Sequence, residues 1–250
     1  MSKELEMSEI TEQIGNSLDA LTREYEIITH NLANSGTVGY KRRCNAFSRV
    51  MDAQDTGTQS YSPGTVDLES SFDFSQGSIV ETNRNLDFAL YGEGFFVIET
   101  PDGPVYTRNG SFSTNQNGQI VDTQGRIVAG QNGAITIPDN VSLSQLYVSS
   151  DGNISANGTN IGQFKLVDFG DNENKLIPTG GSCYRMTDPE IEPVTAENIV
   201  VKQGYQEASN VEIIDELVDL IMVSRLYEAN MGFINNGKET TSSLLSVAMG

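Results

Sequence analysis

Few residues of this 250-residue chain stand where a reaction could use them. His30 is the only histidine, and no serine or cysteine lies beside it in a nucleophile motif. A general base needs such a partner within hydrogen-bond reach, so a helix-face or capping histidine is the expected role. Carboxylates are plentiful, but a glycosidase-like pair needs one acid and one base in distinct surroundings. The pairs Asp151 with Asp168 and Asp171 with Glu173 show no such contrast. Asp168-Phe169-Gly170-Asp171-Asn172-Glu173 offers oxygen ligands for calcium without the EF-hand spacing or flanking helices. Gly92-Glu93-Gly94 lacks the third glycine and following helix of a dinucleotide loop. Cys44 and Cys183 are far apart and not at metal-ligand spacing, which predicts two separate thiols rather than a disulfide. The expectation is no catalytic residue, no metal and no cofactor.

Charge narrows the partners. With 34 acidic against 15 basic residues the formal net charge is −19, and a phosphate backbone would be repelled by such a surface. Lys41, Arg42, Arg43 and Arg49 form the one basic cluster, expected as a solvated or subunit-facing patch. No apolar run approaches the ~20 residues that span a bilayer, so no membrane insertion is expected. The first residues are acidic, with Glu4, Glu6, Glu9 and Glu12, and lack the basic and apolar regions of a cleaved secretory signal.

With little chemistry to position, the pattern of apolar residues carries the information. Steps of four and three from Ile213 give Leu217, Leu220, Ser224, Tyr227, Met231, Ile234, Lys238, Thr241, Leu245 and Ala248, a coiled-coil seam of five heptads. Ile214, Val218, Ile221 and Leu244 lie beside it, which makes the stripe wider than one partner helix covers. Ser209 with Glu212 reads as a capping box, and Asn210 is itself a good cap. At the other end, Met7, Ile10, Ile14, Leu18, Leu21, Tyr25, Ile28 and Leu32 also advance by threes and fours. An intramolecular helix pair bracing a domain and a seam shared between chains both fit this pattern.

Between the helices the pattern is β. Runs at 95–99, 105–108, 119–121, 126–128, 134–137, 146–148, 154–156, 163–169, 184–186 and 200–202 are rich in Val, Ile, Phe, Tyr and Thr. Asp102-Gly103, Asn109-Gly110, Asp151-Gly152 and Asn157-Gly158 separate several of them as hairpin signals. Strands so closely spaced leave no room for crossover helices, which predicts an antiparallel sandwich or irregular barrel. Residues 47–78, with Pro63-Gly64, read as a connector in which Val66, Leu68, Phe72 and Phe74 could form an extended strand. The fold class is thus α+β, with long coiled-coil-type helices flanking a central antiparallel all-β domain. The expected division is a helix and helix end over 1–40, a connector over 41–80, the β domain over 81–205 and the second helix over 206–250.

Three ordered motifs resemble the bacterial flagellar axial proteins, the rod and hook family. The first is Asn31-Leu32-Ala33-Asn34 followed by Thr37, Gly39, Tyr40 and Lys41. The second is Leu86-Asp87-Phe88-Ala89-Leu90 with Gly92, Gly94-Phe95-Phe96-Val97 and Tyr106-Thr107-Arg108-Asn109-Gly110-Ser111-Phe112; Asn85 stands where many members have proline, and Asn115 where many have aspartate. The third runs from Gln203-Gly204-Tyr205 through Ser209-Asn210-Val211 to Tyr227-Glu228-Ala229-Asn230. The resemblance implies a structural subunit of the basal-body rod that self-assembles through its terminal helices into a torque-transmitting shaft. It implies other copies of the chain, other rod proteins, the hook protein and the flagellar type III export apparatus as partners, and a periplasmic rod location reached without a cleaved signal. The residues assigned to assembly are Leu18, Leu21, Tyr25, Ile28, Leu32, Asn34, Thr37, Gly39, Tyr40, Ile213, Leu217, Leu220, Tyr227, Met231, Ile234 and Leu245. Within the family the alternative is a hook subunit; outside it, a secreted β-domain binding protein or adhesin oligomerised by its helices.

Overall fold

A computed structural model describes the backbone of residues 2–44 and 71–249 and the side chains of residues 14–44 and 71–237. The chain forms two compact units, one of residues 1–33, 43–71 and 212–250, the other of residues 34–42 and 72–211.

The second unit is a large antiparallel β domain. Its principal sheet has ten strands among the described residues, with Phe95–Glu99 near the middle. That strand pairs with Val105–Thr107, Ile127–Gly130 and Leu166–Asp168, all antiparallel. It reads Phe-Phe-Val-Ile because both of its faces are buried. Phe95 and Val97 point into one cluster with Tyr106, Val167, Phe169 and Tyr184, and Phe96 and Ile98 point into another. In the larger cluster Phe88, Phe96, Phe112 and Phe164 form a ring of mostly edge-on contacts with centroids 5.0 to 6.0 Å apart. Phe72 and Phe74, from the end of the expected connector, pack with Tyr184 on the smaller cluster. Val66, Leu68, Pro63-Gly64 and Arg49 lie outside the described residues.

The turn signals divide into two kinds. Asn157 and Gly158 both take positive φ and join Asn153–Ala156 to Thr159–Gln163 with Ala156 opposite Thr159, the two-residue hairpin that an Asn-Gly pair predicts. Asn109-Gly110 is different. Instead of turning one strand back on its neighbour, it carries the chain from the principal sheet to Gly110–Ser111, which pairs with Asp87–Tyr91. Glycine is needed there because a Cβ on residue 110 would collide with the Phe88 carbonyl oxygen. A side chain's absence for close backbone approach has the same sequence appearance as a turn glycine. The expected run 163–169 is likewise split, since Thr159–Gln163 ends one sheet and Leu166–Asp168 begins in another.

The first unit contains the helices α1 (Ser2–Ala33) and α2 (Ile213–Met249). They meet at Leu21, Ile28 and Val223, with Leu32 and Leu220 packed alongside. The buried apolar residue of α2 among the described residues is Val223 rather than Ser224, so this contact is offset by one position from the heptad row. The expected cap also differs. Helix α2 begins at Ile213, while the Ser209 hydroxyl accepts the Val211 N–H at 3.2 Å and Asn210 is engaged within the β unit.

Candidate assembly interface

In the helical unit the predicted interface residues fall into three groups. Leu21 and Ile28 are buried, Leu18, Leu32, Leu220 and Ile234 are half-buried, and Tyr25, Ile213, Leu217, Tyr227 and Met231 are exposed. The side chain of Leu245 lies outside the described residues, as do those of Lys238, Thr241, Leu244 and Ala248. Helix α2 further exposes Ile214 at 76%, Val218, Ile221, Met222, Leu226 and Phe233 at 69% of their surface. Isolated exposed apolar residues are ordinary, but this many on one helix mark a surface for something else to cover. A groove of about 350 Å³ lies between Leu21, Tyr25, Val223 and Tyr227, bordered by Thr22, Ser224 and Glu228.

Below that groove the helices are joined by a polar contact. Asn31 is fully buried, and its amide nitrogen donates to both carboxylate oxygens of Glu216, at 3.2 and 3.3 Å. The same side chain closes a two-way bridge with the Arg43 backbone, donating to its carbonyl and accepting its N–H, both at 2.9 Å. Asparagine fits because it offers donor and acceptor from one planar group. His30, one residue earlier, is held below the usual imidazole range by burial and by the nearby Arg43 charge.

In the β unit, residues 34–42 form the helix-end motif. Thr37 donates its N–H to the Asn34 carbonyl at 3.0 Å and its hydroxyl to the Asn34 side chain at 3.2 Å. Gly39, at φ +66°, lies so close to Asn109 that any side chain would clash, and Tyr40 is buried. The basic residue that follows is not the solvated group its sequence neighbours suggest. Lys41 is 1% exposed and paired to Glu207 at 2.8 Å, with a further bond to the Ser75 carbonyl at 2.6 Å. Burial holds its ammonium below the ordinary lysine range, against the pull of Glu207. Arg108 binds the other Glu207 oxygen at 2.9 Å and also donates to the Gly92 and Gly94 carbonyls at 2.8 and 2.6 Å. Gly77 N–H donates to the Glu207 carboxylate at 3.0 Å, and Gly39 N–H to the Glu207 carbonyl at 2.8 Å. Two cations and a backbone donor thus satisfy one buried acid. Removing one member of such a set costs about 3–5 kcal/mol because it strands a charge in a dry site. Sequence reasoning does not single out Glu207, and it gives Arg108 and Glu216 no partner. An acid whose partners lie 166 and 99 residues away has no local signature.

The family model described as the flagellar hook protein FlgE/F/G D1 domain matches residues 89–156, and the flagellar basal body rod FlgEFG protein C-terminal model matches residues 202–247. Flagellar basal-body rod protein FlgG of Buchnera aphidicola subsp. Schizaphis graminum is 32% identical, covering 91% of this chain and 95% of that one. This chain belongs to the flagellar basal-body rod protein family. Rod protein FlgF of Mesorhizobium japonicum is also 32% identical, over 90% of each chain, and FlgG of Bacillus subtilis is 30% identical over 89% of this chain and 92% of its own. Membership of this family makes the chain a structural rod subunit of the flagellar basal body. Of the residues described above, Arg108 falls within the first matched region, and Glu207, Asn210, Glu216 and nearly all of α2 within the second.

Proposed function

We propose that this rod subunit assembles through its terminal helices, which pack side by side with those of other copies and other rod proteins into the wall of the shaft. The observation that carries the reading is the apolar surface of α2, with Ile213, Leu217, Val218, Ile221, Tyr227 and Met231 all exposed. Packed against neighbours, these positions complete the coiled-coil-type seam, and the assigned residues that the subunit leaves accessible form the contacts, while Leu21, Ile28, Gly39 and Tyr40, buried within the subunit, shape the segments that present them. A heterologous interface repeated by a screw operation gives an open filament, which a shaft requires. In this reading residues 1–40 and 206–250 are assembly segments, 41–80 a connector and 81–205 the outward-facing β domain. The role is structural rather than enzymatic. The hook protein and the type III export apparatus are further partners, the location is the periplasmic rod, and export leaves the N-terminus uncut.

Leu217→Asp tests it. The side chain is 45% exposed in the single subunit, so the monomer should fold, whereas a charge inside a packed interface costs several kcal/mol. The expected outcome is a soluble monomer with normal circular dichroism and a non-motile strain whose basal bodies lack this subunit. Swimming with Leu217→Asp would refute the interface.

A further inference from the structure

The chain passes between the helical unit and the β unit at four places: 33/34, 42/43, 71/72 and 211/212. On the β side, the three segments next to these crossings are bonded to one another. Arg42 N–H donates to the Asn210 side chain at 2.7 Å, and the Arg42 carbonyl accepts Asp73 N–H at 2.9 Å. The Asn210 amide donates to the Asp73 and Ser75 carbonyls, at 2.9 and 3.1 Å. Lys41 joins Ser75 to Glu207, and Glu207 holds Gly39 and Gly77. Residues 39–42, 73–77 and 207–210 therefore close on one another, and Arg108 ties the group to the carbonyls of the Gly92–Gly94 loop.

A buried ion pair is a poor choice for stability alone, since apolar residues of similar volume often do as well. Directed bonds supply what apolar packing lacks, a fixed register that resists sliding. Because Lys41 and Glu207 are almost fully buried, water cannot replace their bonds as they stretch. We propose that Glu207, Lys41 and Asn210 form a mechanical tether, through which pull or twist on either terminal helix enters the β unit at all three segments together. The force-transmitting role rests on the rod reading; the joint opening of the three segments does not.

Hydrogen exchange by mass spectrometry on the full-length chain tests the joint opening. Asn210→Ala and Lys41→Met are compared with the unsubstituted protein in peptides covering residues 37–42, 73–78 and 205–210, with 146–163 as control. Each substitution should speed exchange in all three segments together by roughly 10-fold or more, with the control unchanged. Faster exchange confined to the substituted segment would overturn the tether. If Lys41→Met does not fold, Asn210→Ala, on a half-buried side chain, decides alone. In cells, Asn210→Ala should swim like the parent in dilute medium and lose speed relative to it as viscosity rises. Equal speeds at every viscosity would overturn the force-transmitting role. Absence of the subunit from purified basal bodies would instead overturn the rod reading, leaving the exchange result to stand by itself.

Discussion

In the β unit, apolar side chains from Leu86 to Val201 form one continuous cluster and a second packs across the Phe95–Glu99 strand, whereas in the helical unit Leu21, Ile28 and Val223 are the buried apolar residues among those described. Polar groups follow the same division. Glu207 is satisfied from three sides within its own unit, while α2 leaves a broad apolar surface exposed. The difference teaches that one chain can hold a part completed by its own packing and a part whose apolar surface its own packing leaves uncovered, which the proposed reading completes by assembly. Stability and function then respond to different residues.

The largest effect should come from the self-sufficient part. Phe96→Ala removes a fully buried ring that touches Phe112 and Phe164, and should destabilise the β unit by about 3–5 kcal/mol in urea unfolding followed by near-ultraviolet circular dichroism. Val223→Ala, the matching change in the helical unit, should cost only about 1–2 kcal/mol and show in the helical signal at 222 nm. If both substitutions shifted one common transition by equal amounts, the two units would be one cooperative body and the comparison would fail.

The smallest effect concerns pH. Glu173 is half-buried, and burial together with the neighbouring Asp168 charge raises its carboxyl to about 7, with Glu93 adding to the push. The folded state therefore binds this proton more tightly than the unfolded chain. Its stabilising contribution is complete below the ordinary glutamate range near 4.5 and disappears as pH rises through about 7. Thermal midpoints of the parent should fall across that window more than those of Glu173→Gln, with the helical unit indifferent. Parallel pH profiles for the two proteins would remove Glu173 as the cause.

Much of the architecture was legible because it depends on short-range patterns. The Asn157-Gly158 hairpin, the strands 95–99 and 146–148 and the presence of a helix towards each end of the chain follow from spacing and local propensity. What escaped depends on distant partners. Residues 86–90 stand in a motif, but the strand Asp87–Tyr91 has no local signal, because its pairing with Val200–Gln203 joins positions more than a hundred residues apart. Gly110 imitated a turn residue because close approach to Phe88 and positive φ both select glycine. Lys41 imitated a surface cation because the sequence shows its basic neighbours and hides Glu207. Of the candidate assembly face, the apolar positions on α2 are visible as periodicity, but the Asn31 bond to Glu216 needs the helices in place.

The span of that Lys41–Glu207 bond also sets an order of events. Its two residues are 166 positions apart, and the strand that contains Glu207, Tyr205–Glu207, pairs with Ile79–Glu81. Chain made from the N-terminus cannot close the β unit until nearly all of it exists, and contacts of such long range fold slowly because loop entropy is lost before they form. Hairpins such as 153–163 can form early, but the last bond comes late. A nascent chain cut short anywhere before residue 207 would thus be left open, with Lys41 hydrated and the segment after α1 unfastened, and such fragments should be the ones that quality-control proteases remove first.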